Sequence, residues 1–524
     1  MIMINIENNS LLLIDLNRNF NFTETNKNFI NLNKGQIHLK NCKKIKLKSF
    51  LNFREKSYKM LIKRFKKSIL NSSEDKFFLS EMEIFNLRND RYNFPDRILN
   101  FLIIKRIKSK NRIKKIKIIS DNRYTLKIFD NVNLEVEKKD LSSGVQSLAL
   151  PNLRILKFLI KTLFLVLFIK FFKRKKKFNK NKPFYMSLYP NKYFYDKKNL
   201  LKKTNNICNF LLTDETHLNL NLKKLIEYAK ETNDKAIVNF EQFIKIQDII
   251  ILIFKNLLHI IKIRNFKKIK INFEGLYFKD EINDLYNSSY INRSKLEIYS
   301  KAIPRFLKNF NVSVLNIYMF EYSFGFYLIR NIRNFSDKIK ISGFQHGIFS
   351  NNLMWLDLIN SLNHRKMYIP NNIYCLNKFS LQDYKIKYKN VKISLIQSKK
   401  KSFNFLNKIR IKKKSNNILV LAGLHDAKDL YFFLKNKAIR KDNKIFYFKL
   451  HPKSKFNFIS EKRIKKIVSF EKKFFTKVII SQTSSLPYDF LKSGRYFSVI
   501  DFDYKQNLIS SNLKNNKKID FLKD

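Results

Sequence analysis

Glycine and proline are scarce in this chain, with eight of each among 524 residues, against about 7% and about 5% in ordinary domains. Histidine occurs seven times and cysteine three times. Cys42, Cys208 and Cys375 lie far apart and form no C-x-x-C pair, which excludes a disulfide framework or a zinc site of the usual spacing. Acidic residues are also few: 42 Asp and Glu against 106 Lys and Arg give a formal net charge of +64. G-x-x-x-x-G-K-[ST], G-x-G-x-x-G and H-E-x-x-H are all absent, which argues against P-loop, dinucleotide-fingerprint and zincin chemistry. Residues 1–9 are short of positive charge and carry Glu7, unlike a secretory signal, so a cytoplasmic protein is expected.

Asn, Lys, Ile and Phe are abundant instead. That skew marks a chain written with A/T-rich codons, and part of the positive charge reflects it. The lysines are spread along the whole chain rather than gathered in one patch with stacking aromatics, so nucleic acid is not an expected partner. Hydrophobic residues make up 44%, ample for packed cores, and the length allows roughly three or four structural units. In a chain so poor in Gly, Pro and His, each that does occur marks a place where backbone geometry or chemistry requires it.

Residues 155–172 read ILKFLIKTLFLVLFIKFF and run into five consecutive basic residues, 173–177. The longest charge-free run, 162–169, is far short of the ~20 apolar residues of a membrane span. Arg154, Lys157 and Lys161 share one helical face. The segment 151–180 therefore reads as an amphipathic helix in the membrane interface, with its basic cluster against anionic head groups. The competing readings are a core helix with a solvated basic tail and a true span. A second apolar run, 244–263, is interrupted by Lys245, Asp248, Lys255, His259 and Lys262 and reads as a core helix.

The remaining pattern is α/β. Residues 1–150 show strands at 10–16 and 114–120 with helices near 55–70 and 96–108. Residues 181–398 carry strands at 183–188, 208–212, 268–273, 312–318 and 338–343. A basic stretch, 399–414, reads as a linker. In 415–524, strands at 417–421, 444–450, 477–481 and 496–501 alternate with helices at 427–438, near 458–466 and at 486–493. Such alternation predicts parallel, doubly wound sheets.

In open α/β sheets, ligands bind beyond the carboxyl ends of strands. Four predicted strand ends carry unusual residues: Gly343, Gln345, His346 and Gly347; Gly423, His425 and Asp426; Lys449, His451 and Pro452; and Gln482, Thr483, Ser484 and Ser485. The Ser pair before Leu486 and Pro487 suits helix capping, which accounts for one of the two hydroxyls. Together with helix-start N–H groups they also suit a phosphate.

K-x-H-P at 449–452 followed by T-S-S at 483–485 resembles the donor domain of bacterial GT-B glycosyltransferases, particularly the sialyl-, polysialyl- and Kdo-transferases with paired HP and SS motifs. Gln345-His346-Gly347, preceded by Phe320-Glu321-Tyr322, resembles surface-carbohydrate (capsule and lipopolysaccharide) biosynthesis proteins of that architecture. The resemblance implies two Rossmann-like domains facing a cleft and a nucleotide-activated sugar donor, with a cytidine nucleotide favoured. It implies a glycan or glycolipid acceptor; taken with the amphipathic segment 151–180, the expected place of work is peripheral, at an anionic membrane surface on the inner face of the cytoplasmic membrane. His451, Pro452, Lys449, Thr483, Ser484, Ser485, Gly423 and His425 would hold the donor. Glu321 or His346 would act as base, with Asp214 and Glu215 next and with Gln345 and Gly347 shaping the loop. The D/E-D/E-G motif of sialyltransferases does not recur, since Asp214-Glu215 is followed by Thr216. Little chain is left after 505 for the helix that crosses back to the first domain in this fold. CDP-polyol phosphotransferases of teichoic-acid type share H-P and S-S, and an inactive membrane-docked scaffold is a third reading. Asp501-Phe502-Asp503 matches D-x-D, but it follows the last predicted strand, where carboxylates are commonly solvated. No metal and no cofactor are expected.

Overall fold

The computed structural model describes residues 10–16, 20–25, 28–32, 37–40, 42–70, 94–130, 132, 135–140, 151–172, 182–188, 206–210, 221–230, 237–261, 273–288, 290–318, 320–321, 323–345, 347, 349–361, 365–396, 402–439, 443–452, 454, 456–469 and 473–523. Asp214, Glu215, His346, the basic cluster 173–177 and the expected strand residues 268–272 lie outside them. Every pairing between strands among the described residues is parallel. Parallel neighbours need crossover connections, which is why helices intervene throughout.

The first sheet runs, in spatial order, Lys43–Lys44, Asn28–Asn31, Ser10–Asp15, Lys115–Ser120 and Glu135–Asp140. Its central strand buries Leu11, Leu12, Leu13 and Ile14, the unbroken apolar run of a strand covered on both faces. Lys115–Ser120 passes through Asn122, whose side chain accepts the Tyr124 N–H at 3.0 Å, into the helix Arg123–Lys127. This is a βα step. The second sheet runs Ile237–Asn239, Asn206–Phe210, Phe184–Leu188, Val314–Tyr318, Lys340–Phe344, Asn372–Cys375 and Lys392–Leu395. It shares one continuous hydrophobic core with the first.

The third sheet runs Ile464–Lys466, Ile445–Lys449, Asn417–Leu421, Lys477–Ile480, Phe497–Asp501 and Ile519–Lys523. Alternate residues of its strands feed separate cores: Leu419, Leu421, Val478 and Ile480 on one face, Ile418, Val420 and Ile479 on the other. That is the period of two a pleated strand imposes. Two expectations change here. The helix near 458–466 does not form, because Phe456 and Phe458, at extended i, i+2 spacing, both stack near Tyr431, with centroids 5.5 and 4.7 Å away. Ile464–Lys466 then takes the sheet edge. Within 399–414, the helix Ser402–Asn407 and the strand Arg410–Ile411 bury Leu406 and Ile409 in the third sheet's core, so apolar residues interleaved among the lysines pack this part onto the C-terminal unit.

Residues 502–513 form a strap across all three units. Asn352 donates to the Asn507 and Ile509 carbonyls at 3.0 and 2.7 Å, and Ser510 donates to the Asp383 carboxylate at 2.8 Å. The strap thus reaches the second unit as irregular chain ending in a single 3₁₀ turn, Ser511–Leu513. Towards the first unit, the Gln506 N–H donates to Asp96 at 3.0 Å and Asn100 donates to the Tyr504 carbonyl at 3.0 Å. Asp96 also accepts Arg54 at 2.8 Å in a buried pair.

The helix Pro151–Phe172 is half built into the core. Phe158, Leu159, Thr162, Leu165, Val166 and Ile169 are buried, and it packs against the helices Leu222–Lys230 and Ile246–Ile261. Its opposite face is exposed. Among the described residues no helix is long and apolar enough to cross a membrane.

Candidate functional site

In the third sheet, Leu421 pairs with Lys449 on one side and Ile480 on the other. The loops that begin at Ala422, Leu450 and Ser481 therefore leave adjacent strands at one level. Gly423 is buried there, and a Cβ on it would overlap the Ser481 and Thr483 hydroxyls. Only glycine lets the first loop lie against the third.

A buried carboxylate ties these loops together. Asp426 accepts the Gly423 N–H at 3.1 Å and the Ser481 hydroxyl at 2.7 Å on either oxygen. The Ser481 oxygen in turn accepts the Thr483 N–H at 3.0 Å and lies 3.0 Å from the Thr483 hydroxyl. A serine has one proton to give. With Asp426 ionised, Ser481 donates to it and Thr483 must donate to Ser481; with Asp426 protonated the chain can reverse and Thr483 can donate outward. Burial pushes the Asp426 carboxyl above its ordinary range, and Asp429 adds to the rise against the Ser481 hydrogen bond. Lys505 lies beneath, bonded to Asp429. Burial works against its ammonium, but Asp429, Asp426 and Asp96 together hold its pKa above the ordinary value.

The Ser pair divides its labour. Ser484 accepts the Leu486 N–H at 3.2 Å, whereas Ser485, the N-cap of the helix Leu486–Lys492, makes no side-chain cap bond. His451 is half-buried just past its strand, and its carbonyl accepts the Ser454 N–H at 2.9 Å in a turn led by exposed Pro452. His425 is exposed before the helix Ala427–Ile439. Lys449 points elsewhere: its ammonium bonds the Val468 carbonyl past the edge strand, and desolvation lowers its pKa.

In the second sheet, Val314–Tyr318 and Lys340–Phe344 are paired neighbours, so the loops holding Glu321 and Gln345 emerge together. Glu321 is buried and accepts the Gly347 N–H at 3.3 Å. Gln345 is also buried. It donates to the Gly347 carbonyl at 2.9 Å and to Ser380 at 3.0 Å, and it accepts the Leu376 N–H at 2.9 Å. Its work is to hold the loop. Phe320 fits where a Cβ on Gly343 would overlap its ring and one on Gly325 its backbone, so these glycines seat the segment that carries Glu321.

The two loop systems meet along the strap. Tyr488 donates to the Phe349 carbonyl at 3.4 Å, and the Gln482 side chain accepts the Leu508 N–H at 2.8 Å. Asp503, expected to be solvated, instead accepts the Leu47 and Lys48 N–H groups at 3.0 Å each, and Asp501 pairs with the Lys48 ammonium. The D-x-D carboxylates are occupied in holding the first unit.

Comparisons with known protein families, curated proteins and solved structures find no match to this chain.

Asp426, Ser481, Gln482 and Lys505 carry the polar connections here; the sequence marked Asp426 and Gln482 at strand ends without giving them a role, and did not mark Ser481 or Lys505. The available signal was spacing: Asp426 follows Gly423 by three residues, and Ser481 directly follows the strand Lys477–Ile480, whose neighbour Asn417–Leu421 leads into that loop.

Proposed function

We propose that this chain is a GT-B-type glycosyltransferase that moves a sugar from a cytidine-activated donor to a surface-glycan or glycolipid acceptor at the inner face of the cytoplasmic membrane. The observation that carries the reading is the convergence of Gly423, His451 and Thr483–Ser485 at the carboxyl ends of three adjacent parallel strands, where such sheets bind nucleotides. Ser485, not engaged in a side-chain cap bond, and the His451 imidazole would face the donor phosphate. Hydrogen bonds aimed at the charge that develops on a leaving nucleotide are the largest electrostatic contribution available to this chemistry.

In the reaction, the acceptor hydroxyl oxygen bonds to the anomeric carbon and its proton passes to a base. The bond from that carbon to the phosphate oxygen breaks, with the electron pair leaving on the nucleotide. Glu321 and His346 are the proposed base and its partner; Glu321 is already fixed to their loop through the Gly347 amide.

The test is calorimetric titration with cytidine 5′-monophosphate, followed by turnover with cytidine-activated sugars. His451→Ala should abolish turnover with the melting temperature unchanged, because this half-buried side chain lies beyond the packed strands. Absence of cytidine-nucleotide binding, or normal donor KM and kcat in the variant, would refute the reading.

A further inference from the structure

The helix Pro151–Phe172 leaves Ile160, Phe164, Leu167 and Phe171 exposed at i, i+4, i+7 and i+11, a single stripe, and Phe171 is 82% exposed. The helix Ile246–Ile261, which the sequence assigns to the core, buries Ile249 and Leu252 but exposes Ile250, Ile251, Phe254 and Leu257. Phe254 is 62% and Ile251 54% exposed. The two helices pack against each other, and both lean on the helix Tyr290–Phe310, so the stripes are neighbours. Eight large apolar side chains on adjacent helices exceed what a soluble monomer leaves scattered over its surface.

Charge points to the occupant. Lys157, Lys161 and Lys170 interleave with the first stripe, and the sequence continues into the five basic residues 173–177. The first helix has no acidic residue; the second has only Asp248, which is buried and paired with Arg305. A second copy would bring the same lysines against these, and like charges would oppose it. We infer that the paired faces of these two helices form one docking surface for an anionic lipid bilayer, with the apolar stripes entering the head-group boundary and the lysines reaching anionic head groups. This goes beyond the transferase reading and does not depend on it, since no step of sugar transfer enters the argument.

The distinguishing claim is the role of the second helix. Sedimentation of the full-length protein with phosphatidylglycerol/phosphatidylcholine vesicles should show binding that pure phosphatidylcholine supports only weakly. The double variant Ile251→Glu, Phe254→Glu should reduce the partition coefficient by about tenfold or more, since each side chain would lose its burial on binding. Its circular dichroism and melting temperature should match the parent. Ile459→Glu, at an 89% exposed apolar position of the third unit, should leave binding unchanged and controls for added charge. Undiminished binding of the double variant would overturn the inference, leaving at most an electrostatic attachment through the lysines. So would no vesicle binding by the parent, or a parent dimer in light scattering that the double variant dissociates without any vesicle binding. Failure to bind cytidine nucleotide would leave the inference standing, because the vesicle assay reads a different surface.

Discussion

Asp383 offers a quantitative test of the strap. It is fully buried on the helix Lys378–Lys387, and one carboxylate oxygen accepts Ser510 at 2.8 Å and Asn512 at 3.0 Å. The other oxygen is buried without a hydrogen-bond partner. Burial pushes the carboxyl up from 3.8 to about 6, against the hydrogen bonds from Ser510, Asn351 and Asn512 and the charge of Lys387. The folded protein therefore holds this proton more tightly than the unfolded chain does. The contribution to stability is complete below the unfolded value and is lost as pH rises through about 6. At about 1.4 kcal/mol per unit the full span is about 3 kcal/mol, of which about 2 kcal/mol falls between pH 4.5 and 7.5. Asp383→Asn keeps an acceptor for Ser510 and Asn512 but cannot titrate. Its new N–H₂ group adds a cost that is constant with pH, so the quantity to read is the change with pH in the difference between parent and variant. Native-state hydrogen exchange of residues 507–513, corrected for intrinsic rates, supplies it. The parent should lose about 2 kcal/mol of protection relative to the variant between pH 4.5 and 7.5. Parallel profiles would refute both the burial argument and the contact on which it rests.

Three further expectations concern the site and its support. Gly423→Ala should destabilise by about 1–3 kcal/mol, because its methyl group has no space beside Ser481 and Thr483, and should weaken cytidine-nucleotide binding; a melt and a titration together check it. Arg54→Ala leaves Asp96 buried without its ion-pair partner and should cost about 3–5 kcal/mol in denaturant unfolding, while Arg54→Met with Asp96→Leu should recover much of that. Glu321→Gln preserves an oxygen for the Gly347 N–H, so if Glu321 only orients the loop part of the turnover survives and His346→Ala is nearly dead. If Glu321 is the base, Glu321→Gln is nearly dead at every pH tested, and full turnover in both variants would remove this loop from catalysis.

The strands were the legible part of this chain. Short apolar runs such as 418–421 and 478–480 suit strands covered on both faces, as in parallel sheets, and their ends mark where loops emerge. The glycines were legible too: in so glycine-poor a chain, Gly343 and Gly423 stand where no Cβ fits. What joins the loops was not. Ser481 reaches Asp426 across 55 residues of sequence because strand order makes their loops neighbours, and no local pattern encodes strand order. The segment 456–466 misled for another reason: Glu461, Lys462 and Arg463 favour helix, but the Phe456/Phe458 spacing, set by packing on Tyr431, fixed an extended backbone. The second apolar helix was read by its charges, whereas its exposed face is decided by what it packs against.

The clasp between Asp503 and the amides of Leu47 and Lys48 joins residues 456 and 455 positions apart. At roughly 5–20 residues per second, a ribosome that has delivered the first unit needs on the order of tens of seconds more to deliver its partner. Through that interval the turn at residues 47–50 faces water, and Asn100 waits for the Tyr504 carbonyl it will bond. The closure that joins the first unit to the third therefore waits until residues 501–503 have been made. A chain interrupted before residue 501 leaves the Leu47 and Lys48 amides without the carboxylate that accepts them in the folded molecule.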